Sequence, residues 1–294
     1  MDKLKKIWNK ITGPCKEWYE AHRQKLTAGL LKVLVWGAAL ITVGILLLLI
    51  GYVLVMGIPH LKPSLFAWEY NSENVSMMPA IVNTIVMTLL ALLVAVPIGV
   101  FSAIYLVEYA KRGNKLVGVV RMTTETLSGI PSIVYGLFGY LMFGVALKWG
   151  YSMLSGALTL AIMVLPSIMR TTEEALKAVP DSYREGSFGL GAGKLRTVFN
   201  IVLPSAIPGI LAGVILAIGR IVGETAALMY TSGTVANVPS SLMGSGRTLA
   251  LHMYTLASEG LYMDQAYATA VVLLILVVGI NSLSAFVAKK LTKA

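Results

Sequence analysis

Charge is what this chain has little of. Only 13% of its 294 residues are Asp, Glu, Lys or Arg, roughly half the share found in soluble domains. With 56% hydrophobic residues and a mean hydropathy of +0.76, it has too few polar groups to cover a surface in water. That excludes a soluble globular domain and makes lipid the solvent. Cysteine is almost missing. The single Cys15 allows no intrachain disulfide, and no metal-ligand cluster accompanies it. Acidic residues number 14 against 24 basic ones, a formal charge of +10. Such an excess can signal nucleic acid, but here the basic residues flank apolar runs and no aromatic and basic module goes with them, so nucleic-acid binding is set aside. A cleaved signal peptide is set aside too, because the first apolar run is too long for one and lacks a small-residue cleavage pattern.

What the chain does have is long uncharged runs. They cover 33–59, 74–107, 126–147, 149–169, 197–219 and 265–288, each at or above the length of about 20 residues that spans a bilayer. The expectation is an all-α membrane protein with six transmembrane helices, the third and fourth joined by a tight turn at Lys148. The fifth is interrupted near its outer part by Arg220 and Glu224. Residues 1–32 read as a cytoplasmic, partly interfacial segment carrying Cys15 and eight basic residues, and 33–58 as the first transmembrane helix. Residues 59–79, with Pro59, Pro63 and Pro79, read as an external loop, 80–288 as the core, and 289–294 as a cytoplasmic C-terminus. Basic residues crowd the N-terminus, the loop after the second helix (Lys111, Arg112, Lys115, Arg121), the loop after the fourth and the C-terminus. Only Lys62, Lys148 and Arg247 fall on the other side. The excess of Lys and Arg on one side places both termini in the cytoplasm. The stretch from 231 to 263 begins with Gly, Ser and Pro and then turns amphipathic, which suggests a re-entrant or surface-lying segment.

The glycines around Lys194 invite a nucleotide reading, which fails. A Walker A loop needs Gly where Phe188 stands and Ser or Thr where Leu195 stands, and a dinucleotide fingerprint from Gly189 meets Lys194 at its third Gly. The same stretch, 180–204, holds Glu185, then Gly191 six residues later, then Ile201, Leu203 and Pro204. Asp181 or Ser182 is placed to cap a short helix there, with Glu185 in its first turn. The pattern resembles the EAA loop of ABC importer permeases, with Gly186 and Ser187 in place of two alanines and Tyr183 just before. Two further segments, SGIPSIVYGLFG at 128–139 and AIGRIVGETAALMYTSGT at 217–234, are similar to the phosphate-specific transporter permeases, most of all their A-type subunit.

That resemblance covers about residues 76–288. It implies a type I ABC importer permease fold, in which 180–204 forms a coupling helix docked on a cytoplasmic ATPase. It also implies a complex of this chain with a homologous C-type permease, two ATP-binding subunits and an external phosphate-binding protein, in the cytoplasmic membrane of a prokaryote. No cofactor and no covalent chemistry are implied for the chain itself. Permeases for another oxyanion, sulfate or molybdate, remain the alternative within the class, and a non-ABC channel or membrane scaffold the alternative outside it.

Small residues in SGIPSIVYGLFG, and the pairs Gly209 with Gly213 and Gly219 with Gly223, read as close helix contacts. Pro131 reads as a kink. Ionisable groups at membrane depth cost roughly 2.5–3.5 kcal/mol on insertion scales unless they face protein or water, so they mark function or pairing. Arg220 and Glu224, four apart, are expected to share a helix face and to serve the substrate path or its gate. Arg170 is placed at the cytoplasmic end of its helix, able to line the path or to snorkel, and Glu125 near the inner end of the third helix in an ion pair.

Overall fold

A computed structural model describes residues 2–111 and 113–291, without the side chains of 2–26, 287 and 291. The expectations on Cys15, on the basic side chains before residue 27, and on Arg112 and Lys293 lie outside the described residues. Among the described residues the chain is helical with no strand. It divides into two units, residues 1–55 and 56–294.

The first unit is most of α1 (Asp2–Gly57), a helix that runs without a break through the expected boundary at residue 32. From Leu30 to Leu49 its large apolar side chains, Trp36 among them, are exposed. A run of that length needs lipid or another helix around it.

The second unit is built on three mutually packed helices: α2 (Met78–Ile104, continued by a π-helical turn Tyr105–Tyr109), α5 (Met153–Lys177) and α8 (Leu203–Val222). Lipid offers no hydrophobic drive between helices, so small residues that let backbones approach decide the seams. Ala91 and Ala95 of α2 lie with Leu160, Val164 and Ile168 of α5. A Cβ on Gly99 would stand 2.7 Å from Ile168. On α8, a Cβ on Gly209 would stand 2.6 Å from that of Ala175, and one on Gly213 would collide with the Thr171 hydroxyl. The Gly209 and Gly213 repeat is therefore the α5 seam. Within this chain Gly219 and Gly223 make no such close seam: the nearest atom to a Cβ on Gly219 is Nδ2 of Asn281 at 3.9 Å, and one on Gly223 would meet its own helix end.

The third expected span is broken. The helices α3 (Lys115–Ser128) and α4 (Ser132–Gly139, continued by π turns to Ala146) meet at 106° across Gly129–Pro131. Among the described residues five helices are long and apolar enough to cross a membrane, or six with this bent pair taken as one span. Pro131 has no N–H for the carbonyl of Leu127. That carbonyl accepts instead from Ile130 N–H at 3.1 Å and from the Tyr135 hydroxyl at 2.8 Å, so the break leaves it satisfied. Gly136 of α4 meets the backbone of Ala227 and Gly139 meets Thr159, so the glycines of this segment do pack helices closely.

After α4 the chain reverses at Lys148 and Gly150, both at positive φ. Ser152 caps α5, its hydroxyl accepting from Ser155 N–H. That helix then continues past the expected end at 169 to Lys177, which leaves Arg170 two turns inside it rather than at its end. At one end of the unit the C-termini of α2 and α5 meet the start of α8 through Ala103, Ile104, Leu176, Val202 and Ala206. At the other end lies α10 (Leu249–Glu259), whose Leu249, Leu251, His252 and Leu256 are buried. Leu249 N–H donates to the Thr84 hydroxyl of α2 at 2.8 Å. The amphipathic stretch after 231 is thus packed into the fold rather than laid on its surface, because its apolar face meets α2 and the last helix, α11 (Met263–Leu291).

Candidate functional site

Two features share the end of the unit where α2 and α5 terminate. The first is the loop 180–204. Helix α6 (Asp181–Gly189) starts with Pro180 at the cap position, and neither Asp181 nor Ser182 caps it. Asp181 is drawn off by Arg184, which donates to its carboxylate at 3.1 Å. The helix stops by a Schellman arrangement: Ala192 N–H donates to Ser187 O at 3.1 Å, Gly191 N–H to Phe188 O at 2.9 Å, and Gly191 sits at φ +81°. A left-handed residue at that place is what makes glycine necessary six positions after Glu185. The Ser187 hydroxyl is buried against the Thr197 hydroxyl at 2.8 Å and ties α6 to the return turn α7 (Lys194–Thr197). Ile201 lies in a π turn that runs without a break into α8, whose first residues are Leu203 and Pro204. Tyr183, Glu185, Gly186 and Leu190 are exposed, Leu190 at 91%. The loop offers a small, glycine-ended knob.

The second feature is a cavity of about 350 Å³ between α3, α5 and α8, lined by Arg121, Glu125, Ser128, Arg170, Glu173, Glu174, Lys177 and Arg220, with Thr124, Pro166 and Ser167. Most of its charges are spent on one another. Glu173, on the buried side of α5, takes Lys177 at 2.9 Å and Arg121 at 3.1 Å. Arg170 donates to Glu174 at 3.1 Å, and both are largely exposed. Arg220 makes no ion pair among the described residues, and neither does Glu125, so the expected pair at Glu125 is not formed.

The expected partnership of Arg220 with Glu224 is not formed either. Helix α8 ends at Val222, so Glu224 lies beyond it and not one turn further on the same face. Its buried carboxylate accepts from the N–H groups of Thr225 (3.2 Å) and Ala227 (3.0 Å), at the start of α9 (Ala226–Thr231). Free amide groups at a helix start are favourable partners for a carboxylate. Arg170 and Arg220 are brought to one cavity; Glu224 is not on its wall.

Residues 95–293 match the family model of the binding-protein-dependent transport system inner membrane component. The chain belongs to that family. It is a membrane-spanning permease subunit of an ABC importer, not an enzyme, and such a subunit works with a second permease, an ATPase and a substrate-binding protein. The matched region takes in the 180–204 loop and every cavity residue. This permease is 33% identical over 241 residues to the probable ABC transporter permease protein YqgI of Bacillus subtilis, covering 77% of this chain and 82% of that one. It is 36% identical over 205 residues to the phosphate transport system permease protein PstA of Mycobacterium leprae, covering 69% and 67%. Among solved structures, a bacterial ABC transporter that imports the acidic polysaccharide alginate aligns with TM-score 0.64 at 15% identity, over 91% of this permease and 99% of that chain. That likeness is one of fold, the type I importer permease.

Sequence reasoning did not find the Glu173 network, because i, i+4 spacing shows the Lys177 pair but not the cross-helix Arg121. It also left Arg247 and His252 as loop residues, although Arg247 is 5% exposed and His252 fully buried. The guanidinium lies 4.9 Å from the Tyr70 ring.

Proposed function

We propose that this chain is the A-type permease half of a phosphate importer, paired with a homologous C-type permease, driven by two ATP-binding subunits and fed by an external phosphate-binding protein. Both termini and the 180–204 loop then lie in the cytoplasm. The observation that carries the reading is Arg220: a permanently charged guanidinium on a cavity wall, with no carboxylate partner, where its neighbours Arg121, Arg170 and Lys177 are all engaged. A free guanidinium offers a planar set of donors suited to an oxyanion and replaces part of its hydration. The engaged pairs around it moderate the field, so that the anion is held weakly enough to leave. Phosphate rather than sulfate or molybdate is supported by what relatives such as PstA are named for.

In this reading Arg170 forms the outer wall of the same path and Glu224 shapes the gate by fixing α9. Tyr183, Glu185, Gly186, Ser187 and Gly191 present the knob that docks on the ATPase, and Ile201, Leu203 and Pro204 join it to α8. ATP-dependent uptake of labelled phosphate into vesicles holding the purified complex tests the function. ATP-dependent uptake of labelled sulfate or molybdate in place of labelled phosphate would transfer the assignment to those anions. Impermeant labelling of single cysteines in intact cells tests the orientation: position 246 should react and position 191 should not.

A further inference from the structure

The ABC coupling loop has one residue whose side chain leaves the knob. Arg184 of α6 is 15% exposed, and all five of its N–H groups are engaged. The Nε (3.1 Å) and Nη2 (2.7 Å) groups donate to Oε1 of Glu108, whose side chain is 8% exposed in the π turn ending α2. Nη2 also donates to Leu176 O at 2.9 Å, and Nη1 to Val179 O at 2.8 Å and to Asp181 at 3.1 Å. Leu176 lies in the last turn of α5, where its carbonyl otherwise accepts the long backbone bond from Val179 N–H (3.4 Å), and Val179 lies just beyond the helix. One guanidinium on the coupling helix therefore closes the end of α5 and grips α2 at once. Around it, Ala103 and Ile104 of α2, Leu176 and Val179 pack as one apolar cluster.

We infer that Arg184 and Glu108 form the joint through which movement of the coupling helix is passed to α2 and α5 together. The inference rests on the coupling-loop reading above. A planar fork with every donor engaged resists rotation, and a buried pair of this kind cannot loosen on one side without leaving a charge uncompensated. No residue of α6 belongs to that apolar cluster, so the cluster alone does not hold α6 to the helix ends. The joint makes the displacement of α6 a displacement of the helix ends. Glu108 is a positioning residue: it touches neither substrate nor ATPase, and it acts by holding Arg184.

The experiment uses the whole complex, with both permeases, the ATPase and the binding protein, in vesicles supplied with radiolabelled orthophosphate. ATP hydrolysis and uptake are measured on the same preparation. Glu108→Ala should leave the ATPase co-purifying and hydrolysing ATP, while phosphate moved per ATP falls at least tenfold. An unchanged ratio would overturn the joint. Should Glu108→Ala fail to assemble, Glu108→Gln decides, because it keeps an acceptor oxygen and loses only the charge: a ratio lowered severalfold supports the joint, and an unchanged ratio overturns it. Leu190→Asp, on the exposed knob, separates this from the loop assignment itself. It should release the ATPase, and if it does not, the coupling-loop reading falls whatever Glu108 does.

Discussion

Arg184 and Arg220 belong to the same half of the molecule and are used in opposite ways. Arg184 engages five N–H groups within the protein, whereas Arg220 has no ion pair and faces a cavity. The contrast teaches which arginines of a membrane protein can do chemistry with a passing anion. A guanidinium whose donors are all satisfied is a joint, and one whose donors are free is a binding group. Arg247, at the opposite end, is a third case: buried against Tyr70, with Nε and Nη2 lacking acceptors.

The largest effect should come from emptying the free arginine. Arg220→Gln should lower phosphate uptake by about a hundredfold, the scale of losing one or two charge-assisted hydrogen bonds, with assembly of the complex intact. Arg220→Lys should restore less than about a tenth of the loss, since a point charge lacks the fork. Because Glu224 serves α9, adding Glu224→Gln should not rescue Arg220→Gln. Rescued uptake in the double variant would return the pair to a mutual, structural role and break the contrast.

The next effect concerns the end of the unit that holds α10 and is one of stability. His252, on α10 and outside the membrane-spanning helices, has its imidazole held down to about 3, first by burial and then by the Arg247 charge, against a smaller opposing pull from the Val75 backbone. Its value in the unfolded chain is the ordinary one near 6.5. Between those values the unfolded state binds the proton and the folded state does not, so stability rises with pH through that window and falls as pH drops below about 6.5. From pH 7 to pH 5 the loss should reach about 2 kcal/mol. Thermal unfolding of the purified protein across that range measures it. His252→Phe should flatten the slope, and a slope unchanged by that substitution would assign it elsewhere.

How much of this was legible in the sequence follows from how local each feature is. Glu185 to Gly191 could be read because a helix and its left-handed stop are set by consecutive residues, and the same holds for the turn at Lys148. Arg220 was legible as a charge in an apolar run. Its partner was not, because four-residue spacing implies a shared face only while the helix continues, and α8 ends at Val222. The break at Pro131 could be foreseen as a kink, but neither its 106° angle nor the reach of Tyr135 back to Leu127 has a local signal. Arg184 with Glu108, 76 positions apart, and Arg247 under Tyr70 are tertiary meetings with no local signal.

A smaller effect should come from the helix that carries the joint. Gly191 adopts φ +81°, with nothing within 4 Å of the place a Cβ would occupy. A side chain there meets backbone strain and no clash. Gly191→Val should cost about 1–2 kcal/mol at that turn and lower uptake about tenfold, by displacing the knob and with it Arg184. Gly191→Asn should lose much less, because Asn tolerates the left-handed region. Equal losses for the two would mean that the position is sensed through contact with the ATPase and not through its backbone.

The smallest effect is expected at Arg170, and it tests the contrast most finely because Arg170 and Arg220 line one cavity. Arg170 is bonded to Glu174 one turn along α5, with both side chains about two-thirds exposed. Exposed i, i+4 pairs contribute only about 0.3–0.5 kcal/mol, so Arg170→Gln should leave assembly untouched. If availability of donors decides which arginine serves the anion, uptake should fall only about threefold, the part owed to a weaker field in the cavity. Freeing the guanidinium instead, with Glu174→Gln, should strengthen anion retention, so uptake at saturating phosphate should slow while half-saturation moves to lower phosphate. A loss at Arg170→Gln as deep as that at Arg220→Gln would show that the pair with Glu174 opens during transport. The distinction would then lie between states of the permease rather than between residues.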